Sequence, residues 1–297
     1  MQSYRAREFF VELGIRITGQ SAIFIVGLIL LFLLQSGLPA LLDVPVKEFL
    51  STRWYPTEGH VGLVPLILGS VMVTLGTAIL ALPLGLATAV FIAEIAPRWA
   101  REILKPFVEV LAGIPSVLLG FLGMLVIAPS MRQLLSLPTG LTALTGSMLL
   151  ALMALPTIVS VAEDALDAVP RSYRDGALAL GATEWQTIWR VTVPAARSGI
   201  LTAMMLGIGR ALGETMTVMM VTGNAARMPL TPADLLMPVR TMTATIAAEM
   251  GEVAQGSTHY HVLFLIGIVL FLLSLAVNLA AASVVFRQVT RSERVLA

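Results

Sequence analysis

Residues 163–197 read EDALDAVPRSYRDGALALGATEWQTIWRVTVPAAR and lie between two long apolar stretches of the chain. A connection between neighbouring helices usually has about 4–6 residues. This polar segment has 35 residues and is rich in charged and aromatic side chains. A loop of this length between apolar stretches is typical of a segment that carries a function of its own.

Two short helices are predicted within this segment. The first, Arg171–Leu180, is followed by Gly181, and glycine is the residue type that most often ends a helix. The second, Glu184–Arg190, is preceded by Thr183, which has Gln186 at the spacing of a capping box.

Tyr173, Trp185 and Trp189 are expected to be exposed on these helices, which allows two interpretations. Exposed aromatic rings on a pair of helices suit a surface on which another protein docks. They equally suit an amphipathic segment whose rings lie among lipid headgroups. The residue pattern alone favours neither.

The whole chain has the composition of a membrane protein. Of its 297 residues, 57% are hydrophobic and 12% charged, and the mean hydropathy is +0.88, whereas soluble domains carry about 25% charged residues. Six stretches reach the roughly 20 apolar residues that a membrane-spanning helix needs. They are Ile17–Ser36, Val64–Ala93, Val108–Ala128, Leu141–Ala162, Ile200–Val221 and Val262–Phe286. The sequence therefore predicts an all-α membrane protein with six transmembrane helices.

Basic residues set the expected orientation, because they are enriched on the cytoplasmic side of a membrane. With the N-terminus inside, 13 Lys and Arg residues lie inside, 5 lie outside, and Arg210 lies within the bilayer. Both termini and the segment 163–197 are therefore expected to be cytoplasmic.

Two local features are expected near the third span. Glu109 follows Lys105 by four residues, which favours an ion pair between them on a helix. Pro115 is expected either to break the helix or to kink it.

Several classes of function are excluded or lack support. The 19 basic residues nearly cancel the 18 acidic ones, so no basic field indicates binding to nucleic acid. The absence of cysteine excludes disulfides, iron–sulfur clusters and thiol catalysis. No cofactor or metal site is predicted, since His259 and His261 have no acidic neighbour closer than Glu252. A P-loop requires Gly-Lys-Ser/Thr, and neither Lys47 nor Lys105 follows a glycine, so the chain does not hydrolyse ATP through this motif.

Arg210 and Glu214 place two charges in the middle of the fifth span, where each costs on the order of 3 kcal/mol. On a continuous helix they share one face with the small residues Gly199, Ala203, Gly207 and Ala211, and this face is expected to point into an interface or cavity. The two charges either neutralise each other and hold helices together, or interact with a substrate as it crosses the membrane. In the second case Arg210 offers a permanently charged fork to an oxyanion and Glu214 limits how tightly the anion is held.

The segment 163–197 resembles the cytoplasmic EAA loop of ABC importer permeases, Glu-Ala-Ala, three residues, Gly, nine residues, Ile-x-Leu-Pro. The residues that match at this spacing are Asp175, Gly176, Ala177, Gly181, Val191, Val193 and Pro194. Asp stands in place of the Glu, and Gly in place of the first Ala. The resemblance implies the type I ABC importer permease (MetI-like) architecture and a loop that inserts into a groove of an ATPase subunit.

Residues 210–224, RALGETMTVMMVTGN, are similar to the PstC-type permeases of phosphate ABC importers. The segments Trp54–Pro56, Leu111–Val117 and His259–Phe264 extend the resemblance. It implies a phosphate importer subunit in the bacterial inner membrane, with Arg210 and Glu214 in the substrate path. The implied partners are a PstA-type permease, two copies of a cytoplasmic ABC ATPase and a periplasmic phosphate-binding protein.

This resemblance divides the chain into three parts. We expect residues 1–63 to form an N-terminal transmembrane helix and a periplasmic segment. Residues 64–287 form the permease core with the coupling loop 163–197, and residues 288–297 form a cytoplasmic tail.

Other functions remain possible on the residues alone. A permease for another oxyanion, such as sulfate or molybdate, would share this architecture. An ion-coupled secondary transporter needs intramembrane carboxylates, of which only Glu214 lies mid-span, and it would leave the loop 163–197 unexplained. A membrane-embedded enzyme lacks support, because the sequence has no mid-span histidine or carboxylate pair that could act as a catalytic site.

Overall fold

Long helices form a bundle with polar structure at both ends. The computed structural model describes the backbone of residues 2–296 and the side chains of residues 11–280, 282 and 283. We call the end that carries the loop 163–197 the basic end. The opposite end, which carries residues 37–63 and 223–257, is called the cap end.

Helices make up nearly all of the regular structure. The first half contains α1 (Gln2–Gly37), α2 (Ala40–Asp43), α3 (Val46–Phe49), β1 (Trp54–Tyr55), β2 (His60–Val61), α4 (Val64–Val90), α5 (Arg98–Ala112), α6 (Ser116–Leu122) and α7 (Ala128–Leu134). The second half contains α8 (Ala143–Asp167), α9 (Arg171–Ala179), α10 (Glu184–Thr187), α11 (Val193–Ala195), α12 (Arg197–Gly213), α13 (Met216–Val221), α14 (Met242–Glu249) and α15 (Thr258–Leu296). Wide π-helical turns continue three of these helices, α4 over Phe91–Ile95, α6 over Gly123–Ile127 and α10 over Ile188–Thr192. Short 3-10 turns cover Pro56–Glu58 and Pro232–Leu236, and β1 and β2 form an antiparallel pair.

Five helices of the described chain are each long and apolar enough to cross a membrane. They are Val11–Asp43, Val64–Ile95, Ser116–Leu134, Ala143–Asp167 and Thr258–Ala280. A sixth crossing is obtained if Arg197–Gly213 is joined to Glu184–Ala195, from which it is bent by 71°. The predicted all-α membrane fold is confirmed.

The third span begins later than predicted. The residues expected to begin this span instead belong to a separate helix, α5, which ends at Ala112. The helix resumes at Ser116 after Pro115, because proline lacks an N–H donor and disfavours helix in the residue before it. The expected bounds Val108–Ala128 are therefore wrong, and the span is Ser116–Leu134.

The centre of the bundle is α8, which packs between α4 and α12. In its most apolar stretch 61% of the residues are buried, against none in the corresponding stretch of α1. Gly85 of α4 and Gly207 of α12 both lie against Ile158 of α8, and a Cβ atom at either glycine would collide with that side chain. Small residues thus allow three helices to approach closely, as expected in membranes.

The first and last long helices run antiparallel at the edge of the bundle. The rings of Phe32 and Phe264 are 5.4 Å apart, and Nδ1 of His261 lies 2.7 Å from the carbonyl oxygen of Ser36. Both helices therefore extend away from the cap end.

Glu249, at the end of α14, is the centre of a polar cluster in the cap end. Its Oε1 accepts a hydrogen bond from the indole N–H of Trp54 at 3.1 Å and pairs with Arg240 at 2.8 Å. Its Oε2 lies 2.9 Å from Nε2 of His259. One half-buried carboxylate thus joins β1, the loop before α14, and α15.

Replacing Glu249 with glutamine is expected to destabilise the cap end by about 2 kcal/mol, because Arg240 then loses its counter-charge. Thermal unfolding of the purified protein in detergent should show a lower midpoint for Glu249→Gln than for Glu252→Gln. The control removes the same charge from an exposed side chain in the turn that follows α14. Equal midpoints for the two variants would show that the cluster contributes no stability.

Candidate functional site

Arg210 is an exposed residue of α12. Ala203 and Gly207, on the same face of α12, are buried, and Gly207 lies against Ile158 of α8, so Arg210 lies at the edge of the contact between the two helices. Nη1 of Arg210 donates a 3.1 Å hydrogen bond to the hydroxyl of Thr157 on α8. Because threonine is neutral, this bond orients the guanidinium without cancelling its charge, and other N–H donors are left for a further partner.

Glu214 does not continue the helix that carries Arg210. The helix ends at Gly213, and the backbone of Glu214 is extended, with φ −69° and ψ 134°. The carbonyl oxygen of Glu214 accepts a 2.9 Å hydrogen bond from the hydroxyl of Thr243 in α14. Its carboxylate oxygen lies 3.4 Å from the amide nitrogen of Thr217, at the start of α13.

This break corrects the prediction of a continuous helix over Ile200–Val221. Glycine at 213 weakens the helix, and the hydroxyl of Thr243 supplies a partner for the carbonyl that the break releases. Among the side chains that the structure describes, Arg210 and Glu214 form no ion pair within 4.0 Å. The interpretation of these residues as a self-neutralising pair therefore lacks the contact that it requires.

The break in the fifth span lies beside the start of the third span, where α5 and α6 are interrupted. The buried hydroxyl of Thr217 donates a 2.9 Å hydrogen bond to the carbonyl oxygen of Ser116, the first residue of α6. Gly120 of α6 allows this approach, since a Cβ atom there would lie 3.1 Å from the Cα atom of Thr217. Interrupted helices at membrane depth are tolerated where they are buried in protein or line a cavity, as in transporters.

The central part of the loop 163–197 folds as predicted. Gly181 adopts a left-handed φ of +85° between α9 and α10. The capping box is confirmed, because the hydroxyl of Thr183 accepts from the amide of Gln186 at 3.2 Å and the side chain of Gln186 accepts from the amide of Thr183 at 3.0 Å. Pro194 lies inside α11, so the bend into α12 follows it at Ala196.

Residues 171–194, which we call the docking knob, expose an apolar surface. None of the residues of α9 is buried. Five large apolar side chains of the knob are exposed, namely Tyr173, Leu178, Leu180, Trp185 and Trp189. Of the residues that match the EAA pattern, Asp175, Gly176, Gly181 and Pro194 are exposed, and Ala177, Val191 and Val193 are half-buried. The rings of Trp185 and Trp189 lie 5.6 Å apart, and exposed apolar side chains grouped in one segment suit a protein–protein interface.

A cluster of charges at the base of this loop ties α5 to the end of α8. The buried carboxylate of Glu163 pairs with Arg101 at 2.6 Å and with Lys105 at 2.7 Å. Lys105 also pairs with Asp164 at 3.1 Å, and Arg101 pairs with Asp167. The hydrogen bond to Glu163 raises the pKa of Lys105 above its usual value, so its ammonium group stays charged at neutral pH.

Sequence reasoning missed this cluster and three threonines of the site. The expected pair of Lys105 with Glu109 is wrong, because Glu163 and Asp164 take the ammonium group instead. The signal for the cluster was that Glu163, Asp164 and Asp167 come directly after the fourth apolar stretch. Thr157, Thr217 and Thr243 gave no signal in the sequence.

Comparison with known proteins finds transport permeases that are similar to this chain. Residues 81–290 match the family described as binding-protein-dependent transport system inner membrane component. A probable ABC transporter permease protein, YqgH of Bacillus subtilis, is 43% identical, over 77% of this chain and 74% of the relative. The phosphate transport system permease protein PstC of Xylella fastidiosa (strain Temecula1) is 35% identical, over 97% of this chain and 93% of the relative.

The fold is also that of a solved ABC importer. A chain of the MetNI methionine ABC transporter, in an inward-facing conformation, superposes with a TM-score of 0.60 at 19% identity. The superposition covers 76% of this chain and 95% of that one. This chain therefore belongs to the family of binding-protein-dependent transport system inner membrane components, among the PstC-type permeases.

Proposed function

We propose that this chain is the PstC-type permease subunit of an ATP-driven phosphate importer in the bacterial inner membrane. It forms the translocation path with a PstA-type partner permease. A periplasmic phosphate-binding protein delivers phosphate at the cap end, and two copies of an ABC ATPase dock at the basic end. Both termini lie on the ATPase side. The support for the substrate is the similarity to PstC proteins over nearly the whole chain.

The observation that carries the proposal is the exposed guanidinium of Arg210, held by the neutral hydroxyl of Thr157 within the apolar fifth span. Arginine keeps its charge and offers a fork of donors that fits the oxygens of a tetrahedral oxyanion. A charge at this depth is costly unless it serves a pathway. Arg210 thus binds phosphate transiently in the path.

Glu214 favours phosphate over sulfate in this proposal. Phosphate at neutral pH carries at least one O–H group, which a carboxylate accepts as a hydrogen bond. Sulfate is fully ionised and has no hydrogen to donate, so Glu214 only repels it. A site whose polar group is left unpaired rejects such an analogue strongly. The same negative charge prevents tight retention of phosphate beside Arg210.

The docking knob couples transport to ATP hydrolysis by another subunit. The chain has no P-loop lysine, so ATP hydrolysis belongs to a separate subunit. The exposed apolar side chains of the knob and the match of Asp175, Gly181 and Pro194 to the EAA pattern support docking of that subunit at the basic end.

Uptake by intact cells tests the substrate. Cells that lack this chain should lose uptake of labelled phosphate at low external concentration and should keep uptake of labelled sulfate and molybdate. Expression of the wild-type chain should restore phosphate uptake. Loss of sulfate or molybdate uptake, with phosphate uptake unchanged, would support a permease for another oxyanion instead.

A further inference from the structure

Arg174 attaches the docking knob to the rest of the molecule. Its Nη2 donates to Oε1 of Glu94 at 2.6 Å and its Nε donates to Oε2 of the same carboxylate at 3.2 Å. Nη2 also donates to the carbonyl oxygen of Leu166 at 2.9 Å, and Nη1 to that of Val169 at 3.0 Å. Four of the five N–H donors of the guanidinium are therefore engaged.

These partners belong to the ends of two central helices. Glu94 lies in the π-helical turn that continues α4, and its side chain is only 9% exposed. Leu166 is in the last turn of α8, where its carbonyl also accepts from the amide of Val169 at 3.2 Å, and Val169 follows that helix. A single side chain of α9 thus binds both α4 and α8.

The helix α9 has little other attachment to the bundle. It contains no buried residue. Within the described part of the chain, no other side chain of α9 makes a hydrogen bond or ion pair with the long helices. The neighbouring Asp175, which matches the EAA pattern, is exposed. A force applied to α9 by a docked protein therefore reaches α4 and α8 through Arg174 and the short connection after α8. The second half of the knob is attached separately, since Ile188 belongs to a buried apolar cluster that includes residues of α4 and α8.

We propose that Arg174 is a positioning residue that makes α4 and α8 follow the movements of the docking knob. This inference rests on the proposed function, in which an ATPase moves the knob. A bidentate guanidinium–carboxylate pair resists sliding better than a single bond, because two bonds fix direction as well as distance. The helix α8 also carries Thr157, which holds Arg210, so its movement displaces the guanidinium in the substrate path.

The test measures coupling in the complete complex of both permeases, two ATPases and the binding protein in liposomes. Phosphate uptake and ATP hydrolysis are recorded together for the wild type and for Arg174→Gln. We expect uptake per ATP hydrolysed to fall by about tenfold, as loss of one charged link would give, while ATP hydrolysis and recovery of the ATPase stay close to wild type. Arg98→Gln, which removes the same charge from an exposed side chain at the start of α5, outside the knob, should leave the ratio unchanged.

Two further variants separate positioning from general damage. Arg174→Lys retains one charged bond and should restore the ratio in part. Glu94→Gln should lower the ratio, and the double variant Glu94→Gln/Arg174→Gln should be no worse than Arg174→Gln alone, because both substitutions break the same link. Independent, multiplying effects of the two substitutions would overturn the proposal.

The outcomes also separate this inference from the proposed function. An Arg174→Gln complex that assembles and keeps a wild-type ratio of uptake to hydrolysis would overturn the positioning role alone. An equal loss of ATP hydrolysis and uptake would assign Arg174 to docking or folding and would overturn it as well. Absence of ATP-driven phosphate uptake by the wild-type complex would overturn the proposed function itself.

Discussion

An Arg210→Gln permease is expected to assemble with its partners and to lose phosphate uptake by about 100-fold. The close packing of α12 on α8 is retained, because it depends on Gly207 against Ile158 and not on residue 210. It has no charge, and the anion then enters the membrane without a counter-charge. Uptake of labelled phosphate into liposomes, with the yield of assembled complex measured in parallel, provides the readout.

Two matched variants show which property of Arg210 matters. Arg210→Lys keeps the charge but loses the planar fork, so its uptake should lie between those of the wild type and Arg210→Gln. Thr157→Val removes only the neutral hydrogen bond and should reduce uptake by about fivefold. Wild-type uptake by an assembled Arg210→Gln complex would contradict a role in the path and would return Arg210 to a structural one.

Gly181→Asp is expected to reduce the amount of ATPase that co-purifies with the permease by about tenfold. Gly181 is exposed in the turn between α9 and α10, and a Cβ atom at this position would meet no neighbouring atom within 4 Å, so the fold itself has room for a side chain. Aspartate tolerates the left-handed φ of +85° better than most residues. The loss of binding therefore follows from a charge buried against the partner.

Neutral substitutions at the same position are the controls. Gly181→Asn has the shape of aspartate without its charge and should retain more ATPase. Gly181→Ala adds backbone strain of about 1 kcal/mol without a polar group. Co-purification that is unchanged in Gly181→Asp would count against the docking of an ATPase on residues 171–194.

Much of the fold was predictable because its signals are local. Apolar runs such as Val64–Ala93 identify a spanning helix without any knowledge of its neighbours. The same holds for Gly181 and for the capping box of Thr183 and Gln186, whose partners lie within a few residues. Here the sequence and the structure agree almost residue by residue.

Features that depend on distant contacts were not predictable. The helix that carries Arg210 ends before Glu214, where the hydroxyl of Thr243 takes the place of a helical partner. Gly213 weakens the helix, but a glycine alone does not predict a break inside an apolar span. Lys105 has a suitable carboxylate four residues away, yet it pairs with Glu163, 58 residues further along the chain. Helical periodicity points to the carboxylate four residues away as the ion-pair partner of Lys105. The packing of α5 on α8 instead brings Glu163 to the ammonium group.

The role of the site was predictable in part. Two charges within an apolar span were enough to single out Arg210 and Glu214 from the sequence. Their mutual arrangement was not predictable, because it follows from a break stabilised by three different helices. Arg174 gave no signal for a similar reason, since its partners come from the ends of α4 and α8.

The most direct test of the central claim is ATP-driven phosphate uptake by the purified system. The chain is reconstituted in liposomes with its partner permease, ATPase and binding protein, and labelled phosphate is supplied with excess sulfate. Uptake that requires both ATP and this chain, and that sulfate does not reduce, is the result expected of a phosphate importer permease. Uptake that persists without ATP or without the ATPase would contradict that function.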